Sequence, residues 1–78
     1  MYLIFKVNSN GRKEYFTGKT KVIKGNRIAV VTKFYNVKKF RNIQQVFNAK
    51  RNLETRCKSQ APFEVCTMRE YLRERGLI

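Results

Sequence analysis

Apolar and polar side chains alternate with a period of two along the first part of the chain, and after Phe40 the period lengthens to that of a helix. Leu3, Phe5 and Val7 fall on one side of an extended backbone and Tyr2, Ile4 and Lys6 on the other, which predicts a strand over residues 2–7. Asn8, Ser9, Asn10 and Gly11 supply turn chemistry, with Asn10 and Gly11 tolerating positive φ, so a hairpin is expected. Its second strand is placed at residues 12–17 and is stopped or bulged at Gly18. Extended character resumes over residues 19–24, and Gly25 with Asn26 is read as a tight turn into a strand over residues 27–35. Ile28, Ala29, Val30, Val31, Thr32 and Phe34 make both faces of that strand apolar, which predicts a central place in the sheet.

In the helical part, Ile43, Val46, Phe47, Leu53 and Cys57 share one stripe, with the aliphatic stem of Lys50 lying along it. Asn42 is the expected N-cap, and helix-forming residues run to about Lys58. Pro62 ends this run and biases Ala61 away from helical angles, so residues 63–66 are read as a short strand. Thr67 and Glu70 have the spacing of a capping box, which predicts a last helix over residues 68–75 closed by Gly76. The fold class is therefore α+β: a small antiparallel sheet of three to four strands packed on one main helix, in the order β-β-β-α-β, with a short C-terminal helix. The sheet face away from the main helix is left to solvent or a partner. No repeat or linker interrupts the pattern, and 78 residues make one domain, 1–78, of modest stability.

Composition narrows the chemistry. Six Phe, four Tyr and an apolar share of 42% argue for a folded chain over a disordered basic tail. The longest apolar runs, residues 1–5 and 28–31, are far too short for a membrane helix, and the first residues do not read as a signal peptide. A cytoplasmic location without membrane contact is expected, with Cys57 and Cys66 behaving as small hydrophobes. Histidine is absent and no Cys-x-x-Cys occurs, so neither a metal nor another cofactor is expected. Gly18-Lys19-Thr20 looks like the end of a phosphate-binding loop, but the required first glycine would stand where Lys13 does. Aspartate is also absent, and Glu70 and Glu74 lie among Arg69, Arg73 and Arg75 at the spacing of surface ion pairs. Catalysis is not expected.

Charge carries the remaining signal. The net charge is +13, and from residue 15 to residue 53 every ionised side chain is basic. The stretch holds Lys19, Lys21, Lys24, Arg27, Lys33, Lys38, Lys39, Arg41, Lys50 and Arg51. A solvated surface would ordinarily mix both signs. On the helix, Arg41, Gln44, Gln45, Asn48, Arg51, Asn52 and Thr55 share the polar face, a set of phosphate and base-edge donors without a carboxylate. Glutamate would be the ordinary helix former at several of those positions. The hairpin from Lys19 to Lys33 forms a second candidate, a basic β-ribbon extended by Lys38 and Lys39.

Taken together, the strand Tyr2-Leu3-Ile4-Phe5, the segment Glu14-Tyr15-Phe16-Thr17-Gly18, the strand Ala29-Val30-Val31-Thr32, Phe40 before the helix and the closing Phe63-Glu64-Val65 resemble small accessory proteins of bacteriophages that infect low-GC hosts. The resemblance implies a non-enzymatic protein of the host cytoplasm directed at nucleic acid or host machinery. It brings no defined motif, and no functional residue is carried over. The expected function is nucleic-acid binding through phosphate contacts, by a monomer or small homo-oligomer. The alternative is a host-directed inhibitor of a CRISPR or restriction nuclease or of RNA polymerase, docking on an acidic or nucleic-acid-binding surface. With six to eight phosphates neutralised, log K would fall with log[salt] at a slope of roughly −5 to −7.

Overall fold

Turn chemistry sets the boundaries of the strands. The computed structural model describes residues 1–33 and 35–78; Phe34, which the sequence places in the third strand, lies outside the described residues. β1 (Tyr2–Val7) turns into β2 (Lys13–Ile23) through residues 9–11, where Asn8 Oδ1 accepts from the backbone N–H groups of Asn10 (2.9 Å) and Arg12 (3.0 Å). Gly11, at φ +78°, closes this turn in the left-handed region that costs glycine least. β2 turns into β3 (Asn26–Thr32) at Lys24 and Gly25, both at positive φ. The turn thus sits one residue earlier than the sequence reading placed it, and Asn26 is already paired with Ile23.

α1 (Ile43–Arg56) begins at Asn42, whose side chain accepts from the Gln45 N–H at 2.8 Å. A cap of this kind contributes about 1 kcal/mol. A short 3₁₀ turn (Lys58–Gln60) and Pro62 lead into β4 (Glu64–Thr67). α2 (Met68–Glu74) starts with the reciprocal Thr67–Glu70 capping box. It ends in a Schellman motif, in which the Gly76 N–H donates to the Arg73 carbonyl and the Leu77 N–H to the Leu72 carbonyl.

The four strands form one antiparallel sheet in the order β3-β2-β1-β4. The α+β class and the order β-β-β-α-β match the sequence reading. Two of its details are corrected. β3 is an edge strand, with β1 and β2 at the centre. Its apolar residues on both faces are covered from outside the sheet: Ala29 joins the cluster under α1, while Val30 borders residues 36–39 on the other side. Its outer edge is partly sealed by Gln60, whose amide oxygen accepts from the Ala29 N–H (2.6 Å) while its amide nitrogen donates to the Ala29 carbonyl (3.0 Å). A side chain thereby imitates a neighbouring strand and blunts the edge.

The second correction concerns the face opposite α1. It is not left bare: Leu3, Phe5, Tyr15 and Cys66 pack there against Tyr71 of α2, with Val37, Met68 and Leu72 at the margin. Ile4 and Phe16 belong to the α1 side, with Val46, Leu53, Cys57 and Phe63. The two free thiols consequently lie in separate clusters on opposite faces, and burial pushes the Cys66 thiol up to about 11.

Lys13 and Glu74 form an ion pair that ties β2 to α2, and the Tyr15 hydroxyl donates to the same carboxylate at 3.3 Å. The hydrogen bond from Lys13 holds the Glu74 carboxyl below its ordinary range; Lys50 does the same for Glu54, which also accepts from the Phe63 N–H. A carboxyl depressed in the folded state stabilises above its unfolded pKa of about 4.3 and loses that contribution as pH falls through the folded value. Thermal melting should therefore drop on acidification below about pH 4, reinforced by self-repulsion in a chain already at +13. Glu74→Gln should lower the neutral-pH midpoint and flatten the acid limb; an unchanged limb would remove Glu74 from this account.

Candidate nucleic-acid interface

β2 outruns its partner. It pairs with β1 over Lys13, Glu14 and Tyr15 and then continues with β3 alone, so the distal half of the hairpin stands out from the sheet as a two-stranded ribbon. At the point of departure the register shifts between Phe16 and Thr20, leaving residues 17–19 opposite Val30 alone. Gly18 sits in this bulge at φ +89°, and a Cβ there would meet the Lys38 side chain at 3.2 Å. The Gly-Lys-Thr sequence is thus a β-bulge, which re-aims the side chains that follow it.

Past the bulge the ribbon sorts its charges by face. Thr20 pairs with Ala29 and Val22 with Arg27 on the α1 side, where Arg27 Nη1 donates to Thr20 Oγ1 at 2.8 Å. Lys21 pairs with Ile28 on the opposite side, and Lys19 lies beside Val30 there. Lys24 occupies the tip, and Lys33 is exposed just beyond the end of β3.

Residues 38–40 complete the arrangement by running into the gap where β1 and β2 diverge. The Lys38 N–H donates to the Phe16 carbonyl at 2.8 Å, and Phe40 exchanges backbone hydrogen bonds with Tyr2 at 2.8 and 2.9 Å. This wedge brings Lys38 and Lys39 beside Lys19, although about twenty positions separate them in sequence. Together with Thr17, Val30, Asn36 and Val37 they line an open hollow of about 600 Å³. Its lining combines Val30 and Val37 with Thr17, Asn36 and the three lysines. Among the described residues none of the three lysines is paired with a carboxylate; Lys38 Nζ lies 5.8 Å from the centroid of the Phe40 ring.

The carboxylates are elsewhere. Glu14 lies on β2 before the bulge and Glu64 on β4, while Glu54 pairs with Lys50 and Glu70 and Glu74 belong to α2.

Gln44, Gln45, Asn48, Arg51 and Asn52 are all exposed on α1, and Arg41 is exposed just before it. The α1 residues stand on the opposite side of the sheet from the lysine hollow, whereas Arg41 is only two residues from Lys39, so the structure divides the expected site residues between two surfaces. Asn52 also lines a groove of about 270 Å³ between α1 and β2, shared with Thr20 and with Arg56, a cation outside the acid-free stretch that the sequence reading passed over. Thr17 and Asn36 were likewise missed. Nothing local marks them, since their place in the hollow depends on the bulge and the wedge.

The helix register also needs correcting. Ile43 is 55% exposed and Phe47 46% exposed, so neither belongs to the buried stripe. The stripe runs through Val46, Leu53 and Cys57, flanked by the half-buried Ala49 and Lys50. Ile43 and Phe47, four residues apart, form a small apolar patch on the flank of the helix, followed at the next such step by Arg51.

Among the described residues no group of three or more His, Cys, Asp or Glu could hold a metal ion, and no helix is long and apolar enough to cross a membrane. No family model matches the chain, and neither the curated proteins nor the solved structures contain a significant match.

Proposed function

We propose that this chain is a small non-enzymatic nucleic-acid-binding protein that holds phosphates on the ribbon face carrying Lys19, Lys21, Lys38 and Lys39, with Lys24 at the tip. The observation that supports this reading best is the hollow in which the wedge gathers three lysines that, among the described residues, pair with no carboxylate. Crowding like charges costs energy in the free protein and is repaid when an anion enters. A surface that needed charge only for dispersal in water would gain more from separating these groups than from collecting them.

The two-sided division of the basic residues changes the expected salt dependence. One face offers four to five lysines, so log K against log[salt] should fall with a slope of about −3 to −4 for a single strand, shallower than the whole basic set would give. Anisotropy titrations of a labelled oligonucleotide between about 50 and 200 mM salt measure this slope. Undetectable binding at the lower salt, or a salt-independent affinity, would overturn the proposal.

A second reading is favoured by the Ile43–Phe47 patch beside Arg51. Exposed aromatics next to arginine are common anchors in protein interfaces. On that reading α1 docks on an acidic or nucleic-acid-binding surface of another protein, as an inhibitor would. A one-to-one complex that survives nuclease and is lost in Phe47→Ala would favour it over the first.

A further inference from the structure

Beside the lysine hollow lies a second depression of about 420 Å³, lined in part by Tyr35, Met68, Tyr71, Leu72, Arg75 and Leu77. The two share Asn36, Val37 and Lys39, so they form one groove with Lys19, Lys38 and Lys39 toward the ribbon and, toward α2, aromatic and aliphatic side chains beside Arg75. Tyr35 is 74% exposed and contributes to the lining of the groove. Resting on the nucleic-acid reading above, we propose that this groove selects single strands: backbone phosphates lie along Lys19, Lys38 and Lys39 while an unpaired base packs into the α2 end against Tyr35.

The pairing of charge with an accessible aromatic is what distinguishes the two forms of nucleic acid. A duplex keeps its bases stacked inside and presents phosphates and groove edges, so it could engage the lysines but would leave the α2 end empty. A single strand can fill both ends at once, and every base has a face to stack. The α2 end offers Met68, Leu72 and Leu77, and Arg75, which lines it too, donates to the Tyr71 hydroxyl at 2.8 Å, so contact there is mainly by stacking and little sequence preference is expected. Charge alone predicts the reverse order. Duplex DNA carries a phosphate for about every 1.7 Å of axis and releases more counterions per contact than a single strand, so a purely electrostatic surface would prefer the duplex.

The test compares a labelled single strand of about 16 nucleotides with the same sequence annealed to its complement, at about 100 mM salt, on the full chain. The single strand should bind at least about tenfold more tightly, and Tyr35→Ala should erase most of that difference while leaving the salt slope unchanged. Tyr35→Phe retains the stacking face and should keep the preference. Duplex binding equal to or tighter than single-strand binding overturns this inference and leaves the nucleic-acid reading standing, whereas no binding of either form overturns both. A preference that persists in Tyr35→Ala at a normal melting temperature also overturns it, because the base would then be held elsewhere.

Discussion

Phe63→Ala should cost about 3–5 kcal/mol of folding stability, the cost of emptying a fully buried aromatic site. Phe63 is 1% exposed and lies in the cluster that joins α1 to the sheet, and its own N–H is held by Glu54 at 3.2 Å. A domain of this size has only about 4–12 kcal/mol in total, so the substitution should remove a large share of it and lower the melting midpoint by tens of degrees. Phe47→Ala provides the contrast. With its ring half in solvent, Phe47 should give up about 1 kcal/mol or less, close to an ordinary surface change. Chemical denaturation of both variants checks the register of α1. If Phe47→Ala were the more damaging of the two, the helix would have to be rotated so that Ile43 and Phe47 face the sheet.

What made the register hard to read is specific. Ile43, Val46, Phe47, Leu53 and Cys57 all satisfy helical spacing, but they spread over an arc wide enough that the sheet covers only part of it, and Ala49 and Lys50 carry little hydrophobic signal at its flanks. The caps were legible because they are local. Asn42, the Thr67–Glu70 box and Gly76 each act on backbone groups within a few residues, so sequence spacing contains the whole interaction. The place of β3 was not legible for the opposite reason. An apolar run reads the same whether neighbouring strands flank it or a glutamine side chain and an irregular segment do, and here Gln60 and residues 36–38 supply that cover from a distance. α2 hid the second sheet face in the same way, through Tyr71 and Leu72 at the far end of the chain. The candidate site follows this division. Its charge was visible as an unbroken absence of acids, whereas its partition between two faces depends on the Gly18 bulge and on the Lys38–Phe16 hydrogen bond.

That partition gives the charge-reversal experiment a sharp outcome. Lys19→Glu with Lys39→Glu should weaken single-strand binding by about a hundredfold at about 100 mM salt, since two phosphate contacts are lost and two repulsions take their place. Arg51→Glu with Arg56→Glu changes the net charge by the same amount on α1, across the sheet from the hollow. The molecule's shortest extent is 19 Å. Screening at this ionic strength acts over about 10 Å, so the helix charges should reach a strand bound in the hollow only weakly and cost no more than about fivefold. All four side chains are exposed, and neither double variant should move the melting midpoint by more than a few degrees. Equal losses from both pairs would mean that net charge governs binding and that the hollow has no special part in it. A large loss from the helix pair with little from the lysine pair would transfer the active surface to α1, where Gln44, Asn48 and Arg51 lie beside Phe47.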